Sequence, residues 1–146
     1  MAPEQTCRVR KYKLIDHTAD FGIQVFGSNP KALFTNAAYA LSDLLTDINF
    51  LNGQNKRQIT VTGSDWPDLM VNWLRELLYL WAGNELLVKS AKVQKITASE
   101  INAILYHDDY DPGRHVIKNE IKAVTYHQIQ VAPCPSGWEA RIIFDV

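Results

Sequence analysis

The sequence contains none of the short motifs that usually mark a catalytic or nucleotide-binding site. It has no P-loop, no GxGxxG, no GxSxG nucleophile elbow, and no HExxH or other zinc pattern. Cysteine is scarce: Cys7 and Cys134 stand near opposite ends of the chain and form no CxxC pair. We therefore expect two free thiols in a reducing compartment and a cytoplasmic location.

Neither sign of charge dominates, since the sequence has 15 lysines and arginines and 16 aspartates and glutamates. This balance excludes a globally basic surface that grips nucleic acid unaided, although a local basic patch is compatible with it. The most apolar segment, residues 66–82, is interrupted by polar and charged side chains, so we expect no membrane span. The N-terminus, MAPEQTCRVR, lacks the apolar run of a signal peptide.

What the sequence does contain is enough apolar material for one domain with its own core. The chain has 146 residues, of which 47% are hydrophobic. No Pro-, Gly- or Ser-rich linker divides it, so we expect a single domain over residues 1–146, with residues 1–10 as a flexible N-terminal segment.

Hydrophobic periodicity predicts two helices. Asn29 and Pro30 suit the cap and first position of a helix that follows them. Residues 64–85 carry the stronger pattern, with Asp65 as its cap and three tryptophans on one stripe. Aromatic residues at helical spacing usually face a sheet, so we interpret this stripe as packing rather than as a binding face.

Alternation of apolar and polar residues predicts about seven strands. The predicted segments are 11–16, 22–27, 58–63, two strands flanking a turn near 98–101, 119–132 and 138–146. Because the strands of the second half are consecutive, we expect an α+β fold with both helices packed on a largely antiparallel sheet.

The stretch IDHTADFGIQV places Asp16, His17 and Asp20 between two predicted strands. At the other end of the chain, Asp145 and the terminal carboxylate of Val146 close an apolar strand. If the two regions meet, these oxygens suit a hard cation such as Ca²⁺ or Mg²⁺. The alternative is that an aspartate caps the turn and Asp145 is solvated, and spacing alone favours this alternative.

The four histidines have different settings. His17 is the best functional candidate because of its neighbours, although it could only orient the turn. His127 shares a strand face with apolar residues, which predicts a core or half-buried histidine. His107 lies at a predicted strand end, which predicts a solvated loop, and His115 stays ambiguous.

An ordered set of segments resembles the archease family. The segments are DHTADFGIQVFG, LFTNAAYAL, WLRELLYL, EIKAVTYHQIQV and the chain end IIFDV, and the resemblance extends over residues 12–146. The resemblance implies an α+β strand-helix-strand-strand module with an insertion. It also implies an accessory protein of the GTP-dependent RNA ligase of the RtcB type, which joins tRNA halves and other RNA ends.

In such a pair the ligase seals RNA, and the archease promotes its guanylylation and repeated turnover in a transient complex. The resemblance thus implies that the archease acts on tRNA and other RNA indirectly, through the ligase. The resemblance implies a divalent cation, calcium first and magnesium or manganese as alternatives, on Asp20, Asp145 and Val146. Asp16 and His17 then support the turn, and Lys122 of KAVTYH contacts the ligase or its nucleotide.

Two other functions stay open at this point. The same carboxylates could serve a stand-alone metal-dependent phosphohydrolase, which would need a second metal or a general base. A metal-independent RNA-modification chaperone would need neither Asp20 nor Val146.

Overall fold

The computed structural model describes residues 10–15 and 21–146, and within them the chain forms seven strands and two α-helices. The strands are β1 (Tyr12–Ile15), β2 (Phe21–Gly27), β3 (Asn55–Thr62), β4 (Leu86–Thr97), β5 (Glu100–Asp109), β6 (Ala123–Cys134) and β7 (Gly137–Asp145). The helices are α1 (Pro30–Leu45), followed by a short 3-10 turn (Ile48–Phe50), and α2 (Trp66–Asn84). No helix in these ranges is long and apolar enough to cross a membrane.

The strands form two antiparallel sheets, with the orders β1-β2-β7-β6 and β3-β5-β4. The predicted α+β class with antiparallel pairing is therefore confirmed, although the strands are divided between two sheets rather than joined in one. The helices explain why there are two sheets, because each helix packs on both of them. α1 packs on β2 and β4, and α2 packs on β6 and β3. Each helix has a wide apolar surface, and a sheet on either side buries more of it than one sheet could.

The helix starts are those that the sequence predicts. The Asn29 side chain accepts a 2.8 Å hydrogen bond from the backbone N–H of Ala32, and Asp65 accepts one of 2.9 Å from that of Asp68. The tryptophan stripe is confirmed as packing. Trp73 is fully buried, and its indole N–H donates to the carbonyl of Phe34 at 3.0 Å, which ties α2 to α1.

Two histidine predictions are wrong. His127 is exposed rather than half-buried, because the pairing of β6 with β7 shifts between Thr125 and Gln130 and breaks the alternation there. His107 is buried, with 6% of its surface exposed, rather than in a solvated loop. The reason is that β5 is the central strand of its sheet, and His107 pairs with Asn55 of β3 on one side and with Val88 of β4 on the other.

The strand predicted over 119–132 begins later and ends later. β6 starts at Ala123 and continues through Cys134, whereas residues 119–122 belong to the connection that precedes it. In this connection the Asn119 side chain bonds the carbonyl of Leu44 in α1, and only Lys122 donates its backbone N–H to β7, at Asp145.

Candidate functional site at one end of the four-stranded sheet

Four strand ends meet at one end of the four-stranded sheet. Ile15 pairs with Gly22, Phe21 with Phe144, and Ala123 with Asp145. The end of β1, the beginnings of β2 and β6, and the end of β7 therefore lie side by side. The predicted site residues Asp16, His17 and Asp20 belong to the connection between β1 and β2, and they lie outside the described residues.

The last two residues of the chain are exposed, whereas the strand that leads to them is buried. Phe144 and Ile142 are fully buried in the core, whereas Asp145 is exposed and Val146 is 43% exposed. Neither the side-chain carboxylate of Asp145 nor the terminal carboxylate makes a hydrogen bond or an ion pair with the part of the chain that is described. Two carboxylates are thus presented to solvent by a strand that the core holds in place.

Lys122 is brought to the same place. Its backbone N–H donates a 2.7 Å hydrogen bond to the carbonyl of Asp145, and its side chain is exposed. The sequence separates these residues by more than twenty positions, and only the pairing of β6 with β7 makes them neighbours.

The segment that leads to Lys122, residues 111–122, is here called the strap. Three hydrogen bonds fasten the strap to the C-terminal end of α1. The Thr46 hydroxyl donates to the carbonyl of Val116 at 2.6 Å, the Lys118 backbone N–H donates to Leu45 at 2.8 Å, and the Asn119 amide donates to Leu44 at 2.7 Å. Thr46 is fully buried, so its hydrogen bond attaches the strap to the core of the protein. The strap in turn holds the start of β6 in place.

On the other side of β6, three polar side chains join the strand to α2. The phenol of Tyr126 donates a 2.6 Å hydrogen bond to Asp68, and the Arg75 guanidinium lies 4.8 Å from the centre of the Tyr126 ring. The hydrogen bond from Tyr126 is the main cause that lowers the pKa of Asp68. Arg75 also donates to the carbonyl of Val124 at 3.1 Å, so KAVTYH is held from both flanks.

A second polar cluster lies where the strap begins. His115, of unassigned role in the sequence, is 3% exposed and accepts a 2.9 Å hydrogen bond from the backbone N–H of Asp111. Its ring stacks on Tyr110 at 6.2 Å between centroids. These contacts close the turn between β5 and the strap, so His115 shapes the backbone of this turn. No sequence signal distinguishes this role from a ligand role.

Among the described residues, no group of three or more His, Cys, Asp and Glu side chains converges to hold a metal. The predicted ligand set includes Asp20 and the terminal carboxylate, so this finding leaves it a prediction. What the described end offers is the exposed oxygen donors of Asp145 and Val146, with the exposed residue Lys122 on the neighbouring strand end. Such a set can bind a hard cation or stabilise phosphate charge.

Taken together, two helices packed between two antiparallel sheets define a small α+β module. The model of the Archease protein family (MTH1598/TM1083) matches residues 12–146, and the chain belongs to this family. The resemblance drawn from the sequence segments is thereby confirmed.

Relatives match over nearly their whole length. The chain is 34% identical to the archease of Methanosarcina acetivorans over 141 residues, which cover 94% of this chain and 97% of that protein. It is 32% identical to the archease of Pyrococcus abyssi over 143 residues, covering 94% and 100%. The solution structure of Methanobacterium thermoautotrophicum protein 1598 superposes with a TM-score of 0.79 at 26% identity, covering 93% and 99%.

Proposed function

We propose that this archease-family protein activates a GTP-dependent RNA ligase of the RtcB type in the cytoplasm and does not itself join RNA. The observation that carries the proposal is the 2.7 Å hydrogen bond between Lys122 and Asp145. It unites two of the family's motifs, KAVTYH and the chain end IIFDV, at one exposed end of the sheet. A ligase in a transient complex would meet both motifs together.

We further propose that Asp20, Asp145 and Val146 hold a divalent cation, with calcium first and magnesium or manganese as alternatives. The carboxylates of Asp145 and Val146 are exposed oxygen donors without partners in the described chain. Residue 20 is bonded to Phe21, which pairs with Phe144, the neighbour of Asp145. Oxygen-only donors fit Ca²⁺. The bound cation would supply positive charge for nucleotide phosphates, and Asp16 and His17 would orient the turn.

The residues of this chain would act by binding and by charge. The ammonium of Lys122 would contact the nucleotide phosphates or the ligase surface, where developing negative charge needs a counter-charge during nucleotidyl transfer. The strap would keep Lys122 in place, so that little ordering is required when the two proteins meet. Ligase guanylylation and multiple turnover are the steps that this contact would accelerate.

The test is RNA joining at substoichiometric ligase, with and without this protein. We expect the wild type to raise both the number of turnovers and the fraction of guanylylated ligase. Asp20→Ala, Asp145→Ala and Lys122→Ala should lose most of this effect while staying folded. Asp109→Ala and Lys31→Ala are matched controls that should act as the wild type, since both side chains are exposed, Asp109 belongs to the other sheet, and Lys31 lies in α1, which follows the opposite end of β2.

The same assay separates the alternatives. A stand-alone metal-dependent phosphohydrolase would release phosphate from nucleotide or RNA in the absence of ligase. A metal-independent RNA-modification chaperone would tolerate Asp20→Ala and removal of Val146. A wild type without effect on joining or guanylylation would overturn the activator proposal.

A further inference from the structure

The three-stranded sheet has one face on the helices and one face toward solvent. On β5, its central strand, Ile101, Ala103 and Leu105 are fully buried against the helices. Alternation along the strand turns Ile104 and Tyr106 to the opposite side, where both are partly exposed. We call this opposite side the outer face.

The flanking strands add lysines to the outer face. Lys56 of β3 pairs with Tyr106, and Lys92 of β4 pairs with Ile104. Lys95 follows Lys92 on the same face, opposite Asn102. All three lysines are exposed, and none forms an ion pair within the described part of the chain. Positive charge is therefore concentrated here, although the whole chain has a net charge of −1.

The two carboxylates of β5 that point to this side do not neutralise the lysines. Glu100 begins the strand, and its carboxylate accepts a 3.2 Å hydrogen bond from Asn102, the residue opposite Lys95, without forming an ion pair with that lysine. Asp108 is 7% exposed, and its carboxylate accepts three backbone hydrogen bonds from residues 52–54. The centre of the outer face thus keeps its positive charge.

Tyr106 and Ser90 lie among these lysines, and their hydroxyl groups and the Tyr106 ring are available to a ligand. Ser90 pairs with Tyr106 across β4 and β5 and is exposed. Neither the Tyr106 ring nor either hydroxyl makes a hydrogen bond or ring contact with the described residues. An aromatic ring on the central strand of a sheet offers a stacking surface for an unpaired base, and a free hydroxyl can bond a ribose 2′-OH.

We propose that the outer face binds single-stranded RNA directly. Lysines would contact the phosphates, Tyr106 would stack on a base, and Ile104 would pack against the neighbouring base. An acidic peptide would use the lysines but would leave the aromatic and aliphatic centre unmatched, so RNA fits the face better. The face belongs to the sheet that contains neither Lys122 nor Asp145, and this inference therefore stands apart from ligase activation.

The experiment measures the fluorescence anisotropy of a labelled single-stranded RNA of about twelve nucleotides as the protein is titrated at increasing salt. We expect binding that weakens with salt, and a Lys92→Glu/Lys95→Glu variant that binds at least about tenfold more weakly with a smaller salt slope. Lys13→Glu/Lys31→Glu carries the same charge change at exposed positions elsewhere, and it should bind within about twofold of the wild type.

Stacking is tested separately at Tyr106. Tyr106→Ala should weaken RNA binding at least about fivefold, whereas Tyr106→Phe, which keeps the ring, should bind nearly as the wild type. Circular dichroism melting confirms that each variant is folded. The proposal is overturned if the two double variants weaken binding equally, if Tyr106→Ala has no effect, or if poly-glutamate displaces the RNA at equal charge concentration.

Discussion

The carboxylate of Asp108 accepts a 2.6 Å hydrogen bond from the backbone N–H of Asn52, and the same side chain accepts from the next two residues at 3.0 and 3.1 Å. One buried aspartate at the end of β5 thus satisfies three consecutive backbone donors. It holds the segment before β3 against the sheet, where Leu51 is 2% exposed.

Replacement of Asp108 by alanine should lower the free energy of unfolding by about 1–3 kcal/mol, because three backbone N–H donors lose their acceptor. Urea denaturation at neutral pH measures the change. Asp109→Ala is the matched control: this neighbour is exposed, and its loss should cost less than about 0.5 kcal/mol. Equal effects of the two variants would contradict the assigned role of Asp108.

The contribution of Asp108 should depend on pH. Burial works to raise the pKa of Asp108, but the three backbone N–H donors outweigh it, so the pKa lies below its usual value. A lowered folded-state pKa gives stability that is present above the ordinary aspartate range and is lost as pH falls through the lowered pKa. The stability difference between wild type and Asp108→Asn should therefore shrink in acid. A difference that is constant down to pH 2 would argue against this linkage.

The buried indole of Trp73 should be the most costly aromatic ring to remove from α2. Trp73→Ala leaves a large cavity between the helices and should cost about 3–5 kcal/mol in thermal or chemical denaturation. Trp73→Phe fills most of that volume but loses the 3.0 Å hydrogen bond to Phe34, so its cost should be about 1–2 kcal/mol. If both variants cost the same, the cavity is not the main source of the destabilisation.

Gly137 begins β7 in a conformation that suits only glycine. Its φ is +137°, and a Cβ at this position would lie 2.5 Å from the carbonyl oxygen of Gly27. Gly137→Ala should therefore lower the free energy of unfolding by about 1–3 kcal/mol. Gly113→Ala, where the nearest atom is the Asp111 carboxylate at 3.4 Å, should change it by less than about 0.5 kcal/mol.

The proposed cation site predicts a thermal shift. Calcium should raise the Tm of the wild-type protein by a few degrees, since a ligand that binds only the folded state stabilises it. Asp145→Asn should abolish most of this shift, whereas Asp109→Asn should keep it. Magnesium and manganese, tested in parallel at equal concentration, rank the three candidate metals. A shift that survives Asp145→Asn would remove Asp145 from the ligand set.

Local signals in the sequence were sufficient for most secondary structure. Asn29 and Asp65 cap the helices as their side-chain chemistry predicts, because capping is settled within three residues. His127 and His107 show where such reasoning fails. A register shift in β6 exposes His127, and the pairing of β5 with a strand on each side buries His107; both features depend on partner strands that lie far away in the sequence.

The sequence by itself determined the family, through five segments in fixed order, and the α+β class, through the two helical periods and the run of strands. It also singled out Lys122, Asp145 and Val146. Only the tertiary structure decided that Lys122 lies beside Asp145, that the strands separate into two sheets around the helices, and that three lysines share a face with Tyr106. These relationships depend on which strands pair and in which register. Register is set by the burial of one whole face of a sheet, so no single segment of the sequence determines it.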